Sequence, residues 1–241
     1  GQGIPIFGPP GSAFAASVPA GVSEPTADIL WYKFNEGSGT TLTADVGPNG
    51  TTSAGTGYVT GADSVATHAF DFGGDCTALS SSSVTYGVNI ITVCFWAKNT
   101  AWETGDGTIL SSKSDTTTSD TWRIETVGSD DLLRFMNQGT TAGQYNVVTI
   151  PIPSNNTWHH FAVVFNASTA PGVTTVYLNG VAQSVTQGDA LKDGTSNFAA
   201  NAIRIGNLSG SSFFNGSLDD VRIYASALSA GQVGAVYANP E

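Results

Sequence analysis

The side chains able to do chemistry in this chain are few and scattered. Retaining hydrolysis of a glycoside needs two carboxyl groups about 5–5.5 Å apart. The adjacent carboxylates are Asp130-Asp131, which reads as a turn, and Asp219-Asp220 near the C-terminus. Glu103, Asp106, Asp115, Asp120 and Glu125 fall too far apart in sequence to make a pair. His68, His159 and His160 belong to no Ser-His-Asp order or nucleophile elbow. With Cys76 and Cys94 they show no zinc spacing. No catalytic residue is therefore assigned, and the expectation is that the chain is not an enzyme. Binding chemistry is better represented. Trp102 falls in a loop, Thr100-Ala101-Trp102-Glu103-Thr104-Gly105. An indole there can stack on the apolar C–H face of a sugar, with Asn99, Asp106 and Asp115 bonding its hydroxyls and Tyr145 adding aromatic surface. The alternative is that Trp102 folds back onto the edge of the domain.

These residues need strands to position them. Alternating apolar and polar residues predict strands over 29–35, 69–72, 91–98, 107–112, 120–127, 131–136, 144–150, 158–166, 173–179, 202–206 and 213–224. Residues 37–61, with Gly37, Gly39, Gly47, Gly50, Gly55, Gly57 and Gly61, read as a turn-rich connection. Asn179-Gly180 fits a two-residue hairpin turn, whose central residues both require positive φ. After the last strand the period changes. Ser229 with Gln232 forms a capping-box pattern, and Val233, Val236 and Tyr237 follow at helical spacing. The fold class expected is all-β: a two-sheet antiparallel sandwich with one short C-terminal helix.

The composition agrees. Only 11% of the 241 residues are charged, which suits strands and turns rather than long helices. The net charge of −11 argues against nucleic acid as a partner. No apolar run approaches the ~18 residues of a membrane span. The first thirty residues carry no Lys or Arg and so do not match a standard secretory signal. Cys76 and Cys94 are either a disulfide or two buried thiols. Residues 1–27 differ from the rest. They hold five of the ten prolines and one charge, Glu24, and read as an arm. Its apolar residues Ile4, Ile6, Phe7, Phe14 and Val18 are anchors for packing on a neighbouring subunit or on the arm's own domain. The domain proper is expected to span residues 28–241.

Four ordered motifs make residues 28–238 resemble the LamG-like jelly roll of the concanavalin A-like lectin/glucanase superfamily. Phe214, Gly216, Leu218-Asp219-Asp220-Val221-Arg222-Ile223-Tyr224 and Ala227-Leu228-Ser229 are similar to its closing strand and helix. Ile29 to Gly39 resembles its opening strand and glycine turn, and Val93-Cys94-Phe95-Trp96-Ala97-Lys98 a central strand. Thr157-Trp158-His159-His160-Phe161 with Val176-Tyr177-Leu178-Asn179-Gly180 resembles its hairpin. The resemblance implies that His159 and His160 are framework, one ring inward and one outward. It also implies a structural calcium ion on Asp219, with Asp28 or Asn35 and the Gly73-Gly74 turn as partners; hard oxygen donors suit that ion. The strand pattern E-x-D-x-x-E of its laminarinase-type members is absent.

Fold alone does not fix function. The expectation is a non-catalytic binding module, glycan-binding or adhesive, on an extracellular, cell or virion surface. One alternative is a subunit of a larger assembly, such as a virion decoration or fibre protein or a surface-layer component, docked through its arm as a homo- or hetero-oligomer. The other is a glycoside hydrolase.

Overall fold

A computed structural model describes residues 18–53, 57–102, 105–112, 119–208 and 213–241. In chain order its strands are β1 (Leu30–Tyr32), β2 (Thr41–Leu42), β3 (Ala44–Val46), β4 (Gly50–Thr52), β5 (Gly57–Val59), β6 (Ala69–Asp71), β7 (Ala78–Ser80), β8 (Ile90–Asn99) and β9 (Gly107–Ser111). There follow β10 (Trp122–Val127), β11 (Leu132–Gln138), β12 (Tyr145–Pro151), β13 (His159–Asn166), β14 (Val173–Leu178), β15 (Val181–Ala182), β16 (Thr186–Ala190), β17 (Arg204–Ile205) and β18 (Gly216–Tyr224), then one helix, α1 (Ala230–Ala238). Sheet A runs β15-β14-β13-β8-β18-β1-β3, with β6 also on β18 and β5 on β6. Sheet B runs β16-β12-β11-β10-β9-β17-β7-β4-β2. The named pairings are antiparallel, as expected for a sandwich.

Facing side chains of the two sheets make the core. Sheet A contributes Val93, Phe95, Phe161, Val163 and Phe165, and sheet B Leu110, Ile124, Leu133, Phe135 and Val148, all essentially sealed from solvent. Phe95 stacks on Phe161 and Trp122 on Phe165. Burying a side chain of this class contributes roughly 1.5–3 kcal/mol. The Asn179-Gly180 turn forms as its residue types require. Asn179 and Gly180 both have positive φ, and Leu178 pairs with Val181. The Ser229 hydroxyl accepts from the Gln232 N–H while the Gln232 side chain accepts from the Ser229 N–H, so the capping box is complete.

Strand β18 is the exception to simple alternation. Asp219 pairs with Trp96 but Arg222 with Cys94, so β18 carries one extra residue across that step. Asp220, at φ 50, lies in this bulge. The bulge reverses the parity. Leu218 points to the core before it, and Val221 and Ile223 after it. Ser217 and Asp219, then Arg222 and Tyr224, therefore face outward. All nine residues of β18 are nonetheless buried, because sheet A is covered on its outer side too. Leu228, Val233 and Val236 pack there on Cys94, Ala162, Tyr224 and Ala27. The end of the arm lies over α1: Val22 and Pro19 approach Gly231, and Val18 approaches Gly234. Val18 thus packs on its own domain. Ile4, Ile6, Phe7 and Phe14 lie outside the described residues.

Two expectations change, and one open alternative is settled. The turn-rich connection 37–61 contains β2 to β5, held by backbone pairing despite strands of two or three residues. Both histidines of the pair are buried, not one. α1 brings Tyr237 over the outward ring of His160, which also contacts Trp96. Cys76 and Cys94 are both buried free thiols.

Candidate functional site

The predicted sugar surface does not assemble. Trp102 is 1% exposed. Its ring lies between Phe161 and Phe214, with centroids 6.1 and 6.0 Å away, because an indole in this loop gains more by closing the end of the core than by facing water. Its backbone N–H donates to Asn155 Oδ1, which fixes the loop. Asn99 is also buried, and its Oδ1 accepts from the Ala101 N–H as a local turn. Asp106 is exposed and accepts from the Gly128 N–H just past β10. Tyr145 pairs with Gln138 at the far end of β12 from Pro151, roughly 20 Å along the strand from that region. Asp115 lies outside the described residues. Trp102 and Asn99 are therefore framework.

Asp219 is the more unusual carboxylate. It is wholly buried. Its Oδ2 accepts from the Ala62 N–H at 2.8 Å, and its Oδ1 has no hydrogen-bond partner among the described residues. Burial, with the nearby Asp220 and Asp63 charges adding, pushes its carboxyl up to about 8. Gly61 is required beside it. A Cβ there would lie 2.7 Å from Asp63 Oδ1 and 2.8 Å from Asp219 Oδ2. Asp63 in turn holds His68 Nδ1 at 2.7 Å and accepts from the Val65 N–H. The partners expected for Asp219 are elsewhere. Asp28 accepts from the Ala225 N–H past the end of β18, six residues from Asp219. Asn35 lines a surface cleft with Lys33, Glu36, Thr43 and Asp45. The Gly73 N–H donates to Asp71 Oδ1, and Gly74 lies against Asn215. Among the described residues no three His, Cys, Asp or Glu side chains group as a metal site. A calcium cage takes 6–8 oxygens. What this position offers is one unpartnered carboxylate oxygen with a second carboxylate nearby.

The other half of the Asp219-Asp220 pair does different work. Asp220 Oδ1 accepts from Arg222 Nε at 2.7 Å and from Trp31 Nε1 at 2.7 Å, and its Oδ2 accepts from Arg222 Nη2 at 2.6 Å. Arg222 also pairs with Glu24, donates to the Asn239 carbonyl at 3.2 Å and lies 4.4 Å from the Trp31 ring centroid. This buried cluster joins the arm, β1, β18 and the end of α1. The doublet is thus one clamp residue and one buried acid, not a catalytic pair.

His159 and His160 are likewise framework. Asn179 Oδ1 accepts from the His160 N–H, and its Nδ2 reaches His159 Nδ1 at 3.1 Å. The Asn-Gly turn is thereby tied to the start of β13. The His160 ring nitrogens are buried without partners, and burial pushes the ring down to about 3, so it is neutral.

The role of Arg222 was missed in sequence. Its signal was an arginine at an outward position of a closing strand in a chain with only eight basic residues.

Solved structures with this arrangement include the receptor-binding domain of botulinum neurotoxin type G, at 13% identity and TM-score 0.62, covering 88% of this chain and 51% of that one. The serotype C1 binding domain is similar at 15% identity and TM-score 0.64, covering 88% and 51%. So is the binding domain of botulinum neurotoxin DC in complex with SialylT, at 14% and 0.64, covering 88% and 51%. The chain spans about half the length of these solved domains, and the likeness is one of fold. No curated protein matches the chain in sequence. A family model described as the concanavalin A-like lectin/glucanases superfamily matches residues 71–234. The chain belongs to that superfamily.

Proposed function

We propose that this protein is a non-catalytic carbohydrate-binding module displayed outside the cell. The observation that carries the reading is an asymmetry of the sandwich. The outer face of sheet A is closed by α1 and residues 18–27, whereas on the outer face of sheet B Thr51, Leu79, Arg123, Arg134 and Thr149 reach solvent between the buried Ser111, Glu125, Met136 and Val147. A partly exposed sheet face on a lectin-type fold suits an extended ligand. Of the neurotoxin domains of similar fold, one is named a receptor-binding domain and another a binding domain in complex with SialylT. The closing-strand carboxylates support binding over hydrolysis, since Asp219 and Asp220 are both buried. Calcium enters this proposal at one place. Asp219 Oδ1 is the donor on offer, with Asp63 beside it, and the ion would neutralise a carboxylate that burial disfavours.

The test is a glycan array probed with the full chain, followed by assay of each bound glycan for released reducing ends. Binding without release is expected. Release of reducing ends in proportion to protein would overturn the reading, as would an array with no bound glycan in the presence and absence of calcium.

A further inference from the structure

The chain holds four arginines, and their placement is uneven. Arg222 is in the buried clamp. Arg123, Arg134 and Arg204 all face outward from sheet B. Register fixes this: Ile124, Leu133 and Ile205 are core, so their neighbours point the other way. Arg204 and Arg123 both pair with Ser111, one from each side, so they stand two strands apart, about 10 Å. Arg134 pairs with Glu125 on the next row. Glu125 accepts from both Arg123 and Arg134, and its side chain is only 9% exposed. One buried carboxylate thus fixes two guanidinium groups without neutralising both. Arg123 also donates to Met136 Sδ. Each arginine has five N–H donors, so donors remain on both. Arg204 has no acidic partner among the described residues, and its Nε is buried with no acceptor. Among the described residues paired here, three arginines stand against one carboxylate, in a chain of net charge −11.

Around them the partly or fully exposed neighbours are Leu79, Tyr145 and Thr149. Leu79 pairs with Arg204 and is 39% exposed. Met136 pairs with Val147, Arg134 with Thr149, and Tyr145 stands on the same outer row as Val147 and Thr149. Guanidinium forks match carboxylate and sulfate groups in bidentate fashion. Leu79 and Tyr145 suit the C–H faces of sugar rings and Thr149 their hydroxyls, while Met136 and Val147 are buried. Single-stranded nucleic acid would call for a series of stacking aromatics, and Tyr145 is one.

We propose that the outer face of sheet B binds a carboxylated or sulfated polysaccharide, with Arg123, Arg134 and Arg204 pairing its anionic groups. This rests on the carbohydrate-binding reading above and assigns it a ligand class and a surface. The test is affinity electrophoresis of the full chain through gels containing polygalacturonate, dextran sulfate, neutral dextran or single-stranded DNA. Retardation by at least one acidic polysaccharide is expected, weakened roughly tenfold in Arg204→Gln. Thr149→Glu sets a carboxylate beside Arg134 without removing an arginine, and it is expected to weaken the same binding if Arg204→Gln fails to fold. Retardation by neutral dextran alone, unchanged in both variants, would overturn this inference and leave the carbohydrate-binding reading standing. Retardation by DNA as strong as by polysaccharide, with the same variant effects, would mean that the face reads charge alone and would also overturn it. Acidic-polysaccharide binding unchanged in folded variants would place the site elsewhere. No retardation in any polysaccharide gel, together with an empty glycan array, would remove both readings.

Discussion

Arg222 and Asp219 stand three residues apart and carry opposite lessons about a buried charge. Arg222 is fully paired. Replacing it with Ala leaves Asp220 buried without its cation, and the loss is expected to be about 3–5 kcal/mol in urea unfolding. A loss below about 1 kcal/mol would mean that the cluster is not a clamp. Asp219 is only half paired, and its folded-state carboxyl is raised to about 8. The sign follows. The folded state holds this proton where the unfolded state has released it, so the contribution is fully favourable below the ordinary carboxylate range. It is lost as pH rises from about 4 through about 8, by at most about 1.4 kcal/mol per pH unit. In chelator-containing buffer Asp219→Asn is therefore expected to gain stability over the parent between pH 5 and 8. Added calcium is expected to stabilise the parent at pH 8 and not the variant. Parallel pH profiles for the two proteins would refute the raised carboxyl. The Asp-Asp-Val-Arg motif was legible in sequence as a fold marker. The different roles of its two acids were not, because they depend on a one-residue bulge that side-chain types do not announce.

At the scale of elements, α1 works as a cover for sheet A. Ser229→Ala removes the hydroxyl of the capping box and is expected to cost about 1 kcal/mol, read as a shift in the urea midpoint. Beneath the helix, His160 contacts Trp96 and Tyr237 with Arg222 nearby, and its ring is held neutral down to about 3. A depressed histidine gives stability that is present above its ordinary range near 6.5 and lost as pH falls towards 3. This opposes the Asp219 effect below pH 6.5, so each is read against its own variant. His160→Gln is expected to lose less stability than the parent between pH 6 and 4; an equal loss would contradict a neutral buried ring. The long strands β8, β13 and β18 and the Asn179-Gly180 turn were readable because their residues satisfy local rules. β2 to β5 were not, since runs of two or three residues are too short to show alternation. Trp102 was read as open to two fates, and the choice depended on Phe161 and Phe214, which are distant in sequence.

Over the whole molecule the outer side of sheet A is sealed by α1 and partly by the arm, while sheet B leaves Arg123, Arg134, Leu79 and Thr149 in reach of solvent on its outer side. Removing residues 1–27 deletes Glu24 from Arg222 and the Pro25 carbonyl from the Tyr224 hydroxyl. Residues 28–241 are expected to be less stable than the full chain by roughly 1.5–3 kcal/mol. Equal stability would show that the arm does not seal the sheet. The four motifs pointed to the superfamily, and alternation placed most of the longer strands along the chain, but the order of strands within each sheet was not read from sequence. The arginine cluster of sheet B was hidden, because Arg123, Arg134 and Arg204 come from three separate strands and meet only through register. The account centres on ligand binding at the outer face of sheet B. The most direct measurement is amide hydrogen exchange of the full chain with and without a saturating acidic polysaccharide. The account predicts added protection in β9 to β12 and β17, with β8, β13 and α1 unchanged. Protection confined to the β8, β18 and α1 side, with none in β9 to β12, would contradict it.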